Sequence, residues 1–178
     1  MKYCVIHVIN KDNFLNSIGT GIGYGYYCSA DSPALISEQG IKLAGQNIID
    51  SIGGEKIHNQ PYLMFADFDS PDSTCTDCCR MGSRVPLLAE YIPTGGDSGG
   101  GIFRDNGGKC ELIGIGPGGG VDADVFQKPG YYGQTVEWRR VSVFYDWIIS
   151  KMCLNVTDKL ISVISSPEVS GRTLLLRR

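Results

Sequence analysis

Histidine is scarce in this chain: His7 and His58 are the only ones among 178 residues, and none follows Ser98. An imidazole base drawn from the C-terminal half is therefore excluded. Excess positive charge is missing too. Against 19 Asp and Glu stand 16 Lys and Arg, a formal charge of -3, without the basic footprint that nucleic acid or anionic lipid requires. No apolar run reaches the length of a membrane span, and Met1-Lys2-Tyr3-Cys4-Val5-Ile6-His7 lacks the long apolar region of a signal peptide. Neither nucleic acid nor membrane is expected as a partner. Cys75-x-x-Cys78-Cys79 has no second C-x-x-C to complete a closed zinc site. Asp67, Asp69 and Asp72 lack the glycine and terminal glutamate of a calcium-binding EF-hand. No metal and no cofactor are expected. The cysteine segment reads as a disulfide-pinned surface loop and the aspartates as a solvated acidic one.

Glycine, by contrast, is abundant at 24 residues, and 42% of the chain is hydrophobic. That combination, with many β-branched and aromatic residues, suits an all-β barrel with tight turns and a sizeable core. The most informative glycine-rich stretch is Gly95-Gly96-Asp97-Ser98-Gly99-Gly100-Gly101. It puts one serine among residues small enough to let a substrate backbone approach, with Gly96 and Ser98 N–H groups to hold an oxyanion. The same letters fit the G-x-S-x-G elbow of α/β-hydrolases. That elbow needs a helix directly after the serine and a histidine downstream, and three consecutive glycines start a helix badly.

The segment resembles the nucleophile motif of the trypsin/chymotrypsin family of serine proteases. Further likenesses follow in order. Gly23-Tyr24-Gly25, after Ile18-Gly19-Thr20-Gly21-Ile22, is similar to the strand opening that family's C-terminal barrel. Leu112-Ile113-Gly114-Ile115-Gly116 is similar to the strand behind the specificity pocket, and the run from Trp138 to Ile148 to the last strand entering the C-terminal helix. The resemblance implies a six-stranded antiparallel Greek-key barrel, one lobe of a chymotrypsin-like fold, with a C-terminal helix. It divides the chain into an inter-lobe linker remnant (1–16), the C-terminal barrel (17–153) and a divergent tail (154–178).

It also implies roles. Ser98 is the nucleophile, Gly96 an oxyanion donor and Asp97 the support of the oxyanion loop, which in active members pairs with a new N-terminus made by cleavage. Ile92, Gly116 and Gly118 line the substrate pocket. Ile92 stands where trypsin-like members carry an acid, against a Lys or Arg preference, and Thr94 replaces a family cysteine. The family's histidine and aspartate precede its serine by about 140 and about 90 residues, which here falls before Met1 and near Val5. The chain thus resembles one lobe without the base and its orienter. The expected activity is a serine endopeptidase, weak or inactive alone, whose partners are a peptide or protein substrate and a missing N-terminal lobe or partner chain. The alternative is a pseudoprotease binding module. A secreted or periplasmic location is implied by the resemblance alone.

Along the chain, strands are expected over residues 3–9, 17–27, 41–50, 62–68, 101–104, 110–116 and 133–141, with Ser29 to Gln39 a polar loop. Ser142 is placed as N-cap of an amphipathic helix over 143–153 whose packed face holds Val143, Phe144, Trp147, Ile148 and Met152. His7 reads as a strand residue and His58 as part of a surface turn. Lys159 to Ser166 reads as an edge strand and Pro167 to Arg178 as a tail. Asn155-Val156-Thr157 fits a glycosylation sequon.

Overall fold

Period-two burial along most of the long strands builds a curled sheet, and two further strands form a small sheet of their own. The computed structural model of the chain describes residues 6–8, 13–29, 32–36, 40–72, 74–75, 81–116, 131–154 and 172–174, with backbone alone at 6–8, 27–29, 32–36, 153–154 and 172–174. The strands are β1 (Ile6–Val8), β2 (Ile18–Gly23), β3 (Tyr27–Ser29), β4 (Ser32–Ile36), β5 (Leu43–Ile48), β6 (Ser51–Ile57), β7 (Gln60–Asp67), β8 (Gly101–Asn106), β9 (Lys109–Ile115), β10 (Thr135–Arg140) and β11 (Arg172–Leu174). A 3-10 turn, Val141–Phe144, leads into helix α1, Tyr145–Leu154.

Seven antiparallel strands follow the path β5-β2-β8-β9-β10-β7-β6 and curl into a half-barrel. The expected count of six is corrected by β6. Gly53-Gly54-Glu55-Lys56 has the composition of a turn, yet it pairs with β7 through a register shift between Gly53 and Lys56, a bulge that absorbs the glycines. The β6–β7 hairpin closes over His58 and Asn59, both at positive φ (52° and 62°), as a two-residue hairpin loop with right-handed strand twist demands. His58 is exposed there, as expected. β1 lies parallel to β9, pairing Ile6 with Cys110, and antiparallel to β11, pairing Ile6 with Leu174. Residues 172–174 are therefore strand rather than tail. The loop expected from Ser29 to Gln39 contains β4, paired with β3. The segment 159–166 and the sequon lie outside the described residues.

Inward-facing Phe14, Ile49, Met64, Ala66, Ile102, Ile113, Val136 and Trp138 form the core, with Ile52 and Ile92 packed against it. Arg140, 2% exposed, carries its guanidinium 5.7 Å from the centre of the Phe14 ring. A polar cluster sits at the β8–β9 end. Buried Arg104 pairs with buried Glu111 and donates to the Asn13 carbonyl at 2.8 Å, while Asn106 Nδ2 donates to Glu111 Oε1 at 3.0 Å.

The C-terminal elements differ from expectation in two ways. The chain passes from β10 straight into the 3-10 turn, so Ser142 lies inside that turn and the flanking position is Arg140, with no side-chain cap. A 3-10 turn advances about 120° per residue against about 100° in an α-helix. The phase slips, and Trp147 emerges 61% exposed while Val143 stays buried.

Candidate active-site loop and the cavity beneath it

Alternate glycines on the first long strand create the site. Gly19, Gly21, Gly23 and Gly25 recur with period two, so one face of β2 and its continuation carries no side chains. Other residues fill that trough. A Cβ on Gly21 would lie 1.4 Å from the Tyr91 hydroxyl, one on Gly45 of the paired strand β5 2.4 Å from Tyr91 Cβ, and one on Gly23 1.9 Å from Asp97 Oδ1. Tyr91 is itself fixed by pairing with β5: its N–H donates to the Gln46 carbonyl at 3.1 Å, and Asn47 Nδ2 donates to its carbonyl at 3.0 Å.

Asp97 ties the serine loop down. The Gly25 N–H donates to Oδ1 at 2.7 Å and the Thr94 N–H to Oδ2 at 3.0 Å. Tyr26 N–H donates to the Gly95 carbonyl at 2.9 Å, and the Thr94 hydroxyl donates to the Tyr26 carbonyl. Gly96 adopts φ +100°, and a Cβ there would meet Gly25 Cα at 2.9 Å, so glycine is required on both counts. The far side of the loop extends the β8–β9 ladder. Gly99 N–H donates to the Gly116 carbonyl at 2.9 Å and Gly116 N–H to the Gly100 carbonyl at 2.8 Å.

Ser98 stands exposed at the crest. The chain runs on from it into antiparallel β8, not a helix, so a strand-to-helix elbow is not the geometry. Among the described residues, the N–H groups of Gly96 and Ser98 have no acceptor and remain able to donate to an incoming oxygen. Also among the described residues, no histidine is bonded to Ser98. His58 is at the β6–β7 turn, and His7 lies in β1 opposite Glu111.

Of the pocket residues read from the sequence, half-buried Ile92 packs against the core and lines a cavity beneath the loop. Gly116 has both backbone groups engaged with Gly99 and Gly100, and Gly118 is outside the described residues. The cavity, about 220 Å³, is bounded by Gly23, Gly25, Tyr26, Phe68, Glu90, Tyr91 and Asp97 among others. Burial, then the charges of Asp69 and Asp50, pushes the Glu90 carboxyl up to about 7, against the pull of the Leu87 N–H, which donates to Oε2 at 2.6 Å. Burial and the Asp97 charge push the Tyr91 hydroxyl up as well.

The acidic segment is only partly solvated. Asp67 and Asp69 are 1% and 4% exposed, and of the three aspartates only Asp72 faces water. Asp67 closes β7 on its inward face, where the Met81 N–H donates to its Oδ2 at 3.0 Å. Asp50, pushed up to about 6 chiefly by burial and also by the Asp67 charge, accepts from the Asp67 and Ser83 N–H groups, each at 3.3 Å. These carboxylates hold the segment 81–91 that leads into the serine loop. Sequence reasoning missed Glu90 and Tyr91. The period-two glycines were the available signal, since a strand bare on one face must receive side chains from elsewhere. No protein-family model matches the chain, and no curated protein matches it either.

Proposed function

We propose that this chain is the C-terminal lobe of a trypsin/chymotrypsin-like serine endopeptidase. Ser98 would attack the peptide carbonyl to form an acyl-enzyme, and the Gly96 and Ser98 amides would receive the oxyanion. The observation that carries this reading is the serine loop itself: Ser98 outward, the two amides unpaired among the described residues, and Asp97 turned inward as a clamp. The base and its orienting carboxylate would come from a second lobe. Such a lobe needs an apolar face to dock on, and Ile18, Ile22, Tyr24, Ile41 and Leu43 are exposed on and beside paired β2 and β5. Secretion or periplasmic residence, and a disulfide-pinned loop at Cys75-x-x-Cys78-Cys79, belong to the same proposal.

The second reading, a pseudoprotease module that binds peptide without cutting it, is favoured by the lack of a histidine bonded to Ser98 among the described residues. One experiment separates the two. A serine-directed fluorophosphonate probe is applied to the chain alone and co-expressed with an N-terminal chymotrypsin-like lobe, with Ser98→Ala as control. The endopeptidase reading expects weak labelling alone and strong, Ser98-dependent labelling with the lobe. Peptide binding without labelling in either state supports the module.

A further inference from the structure

The cavity beneath the serine loop has an unbalanced charge. Glu90 and Asp97 contribute carboxyls to its wall, Asp69 and Asp50 add their fields at Glu90, and no cationic side chain among the described residues lines it. Both lining carboxyls already accept backbone N–H groups, Glu90 from Leu87 and Asp69, Asp97 from Gly25 and Thr94. What the cavity offers a guest is therefore negative potential more than empty acceptor positions. Tyr26, Phe68 and Tyr91 supply aromatic surface to the same wall, and Leu43 and Ala44 supply apolar surface. A cation that carries its charge inside an apolar shell matches all of this: it needs no hydrogen-bond acceptor, gains from the field, and is attracted by aromatic π systems. A volume of about 220 Å³ admits only a small one.

We infer that this cavity is a binding site for a small quaternary ammonium compound of the choline type, held by the fields of Glu90 and Asp97 and the aromatic wall of Tyr26, Phe68 and Tyr91. The inference does not rest on the endopeptidase reading, because Ser98 takes no part in the cavity wall. It carries a linked pH dependence. The groups facing Glu90 are Asp69, Asp50, Asp97 and Tyr91, and Glu90 gives up its proton near 7. Bound cation favours ionised Glu90, so affinity rises with pH through that region.

The test is a calorimetric titration of the full chain with choline chloride at constant ionic strength, beside dimethylbutanol as its uncharged isostere. Choline should bind about tenfold or more tighter than the isostere, and its affinity should grow severalfold from about pH 5.5 to about pH 8. Glu90→Gln keeps an oxygen for the Leu87 N–H. It should weaken choline about tenfold and cut the pH dependence to the smaller part that Asp50 leaves, while Phe68→Leu weakens it with the pH dependence intact. Ser98→Ala should leave binding unchanged, which separates this site from the reactive loop. Equal binding of choline and its isostere, no detectable choline binding, or pH-independent binding by the unmodified chain would each overturn the inference, even if Glu90→Gln failed to fold.

Discussion

Removing the Asp97 carboxylate is the sharpest test of how the serine loop is held. Asp97→Ala strips the acceptor from the Gly25 and Thr94 N–H groups, at 2.7 and 3.0 Å. Hydrogen bonds to a charged acceptor contribute about 1.5–3 kcal/mol each. The side chain is only half-buried, and Thr94, three residues away, can exchange its bond for water. The Gly25 bond spans 72 residues of sequence and holds the loop to the β2 extension. A total loss of about 2–3 kcal/mol follows, at or just below the lower end of the about 3–6 kcal/mol that two such bonds would sum to, because the Thr94 bond is largely replaced by water. With a urea slope of about 2 kcal/mol/M the midpoint should fall by about 1–1.5 M, read from fluorescence of core Trp138. Asp97→Asn keeps one carbonyl oxygen for Gly25 but sets an NH2 against the Thr94 N–H, so it should fall between wild type and Asp97→Ala. Exchange of the Gly25 amide should quicken most in the alanine variant. If both variants stay within about 0.5 kcal/mol of wild type, or the asparagine is the worse of the two, the clamp is not what holds the loop.

Three further outcomes are expected. Asp50 and Glu90 titrate at about 6 and about 7 in the folded chain against 3.8 and 4.5 ordinarily, so the folded state binds more protons than the unfolded one across that interval. Stability should be fullest below about pH 4 for these groups and decline as pH rises to about 7–8, by about 1 kcal/mol apiece after discounting for their half-exposed state; urea midpoints along a pH series of Asp50→Asn and Glu90→Gln against wild type will show it. Arg104→Met leaves buried Glu111 without its guanidinium and should cost about 3–5 kcal/mol by thermal or chemical unfolding. Gly45→Ala drives a methyl to 2.4 Å from Tyr91 Cβ, an atom close to the backbone that cannot swing aside, and should cost about 1–3 kcal/mol, measured by the same unfolding curves.

Several elements were legible because their signals were local. The apolar alternation of β9 and β10, the glycine loop around Ser98 and the exposed turn at His58 all follow from short-range pattern. The failures share a different origin. β6 was hidden because its two glycines and charged pair imitate a turn, and only its pairing with β7 makes them a bulge. The burial of Asp67 and Asp69 was hidden because the amides that accompany it, such as that of Met81, come from a later segment. Trp147 pointed the wrong way because helical phase was carried across a 3-10 turn. At the site, Ser98 and Gly96 could be picked out by residue type. The partners of Asp97 could not, since Gly25 is remote in the chain.

That remoteness also orders assembly in time. The β6–β7 and β8–β9 hairpins close over two-residue turns, His58-Asn59 and Gly107-Gly108, all at positive φ, and such hairpins form in about 1–10 μs. The serine loop has no comparable local nucleus. It must wait until the β2 extension, the β5 partner of Tyr91 and the β8–β9 ladder have met, after the entropy of closing the long intervening loop has been met by contacts elsewhere. Ser98 therefore gains its exposed geometry late in folding, and a chain still unfinished does not present it.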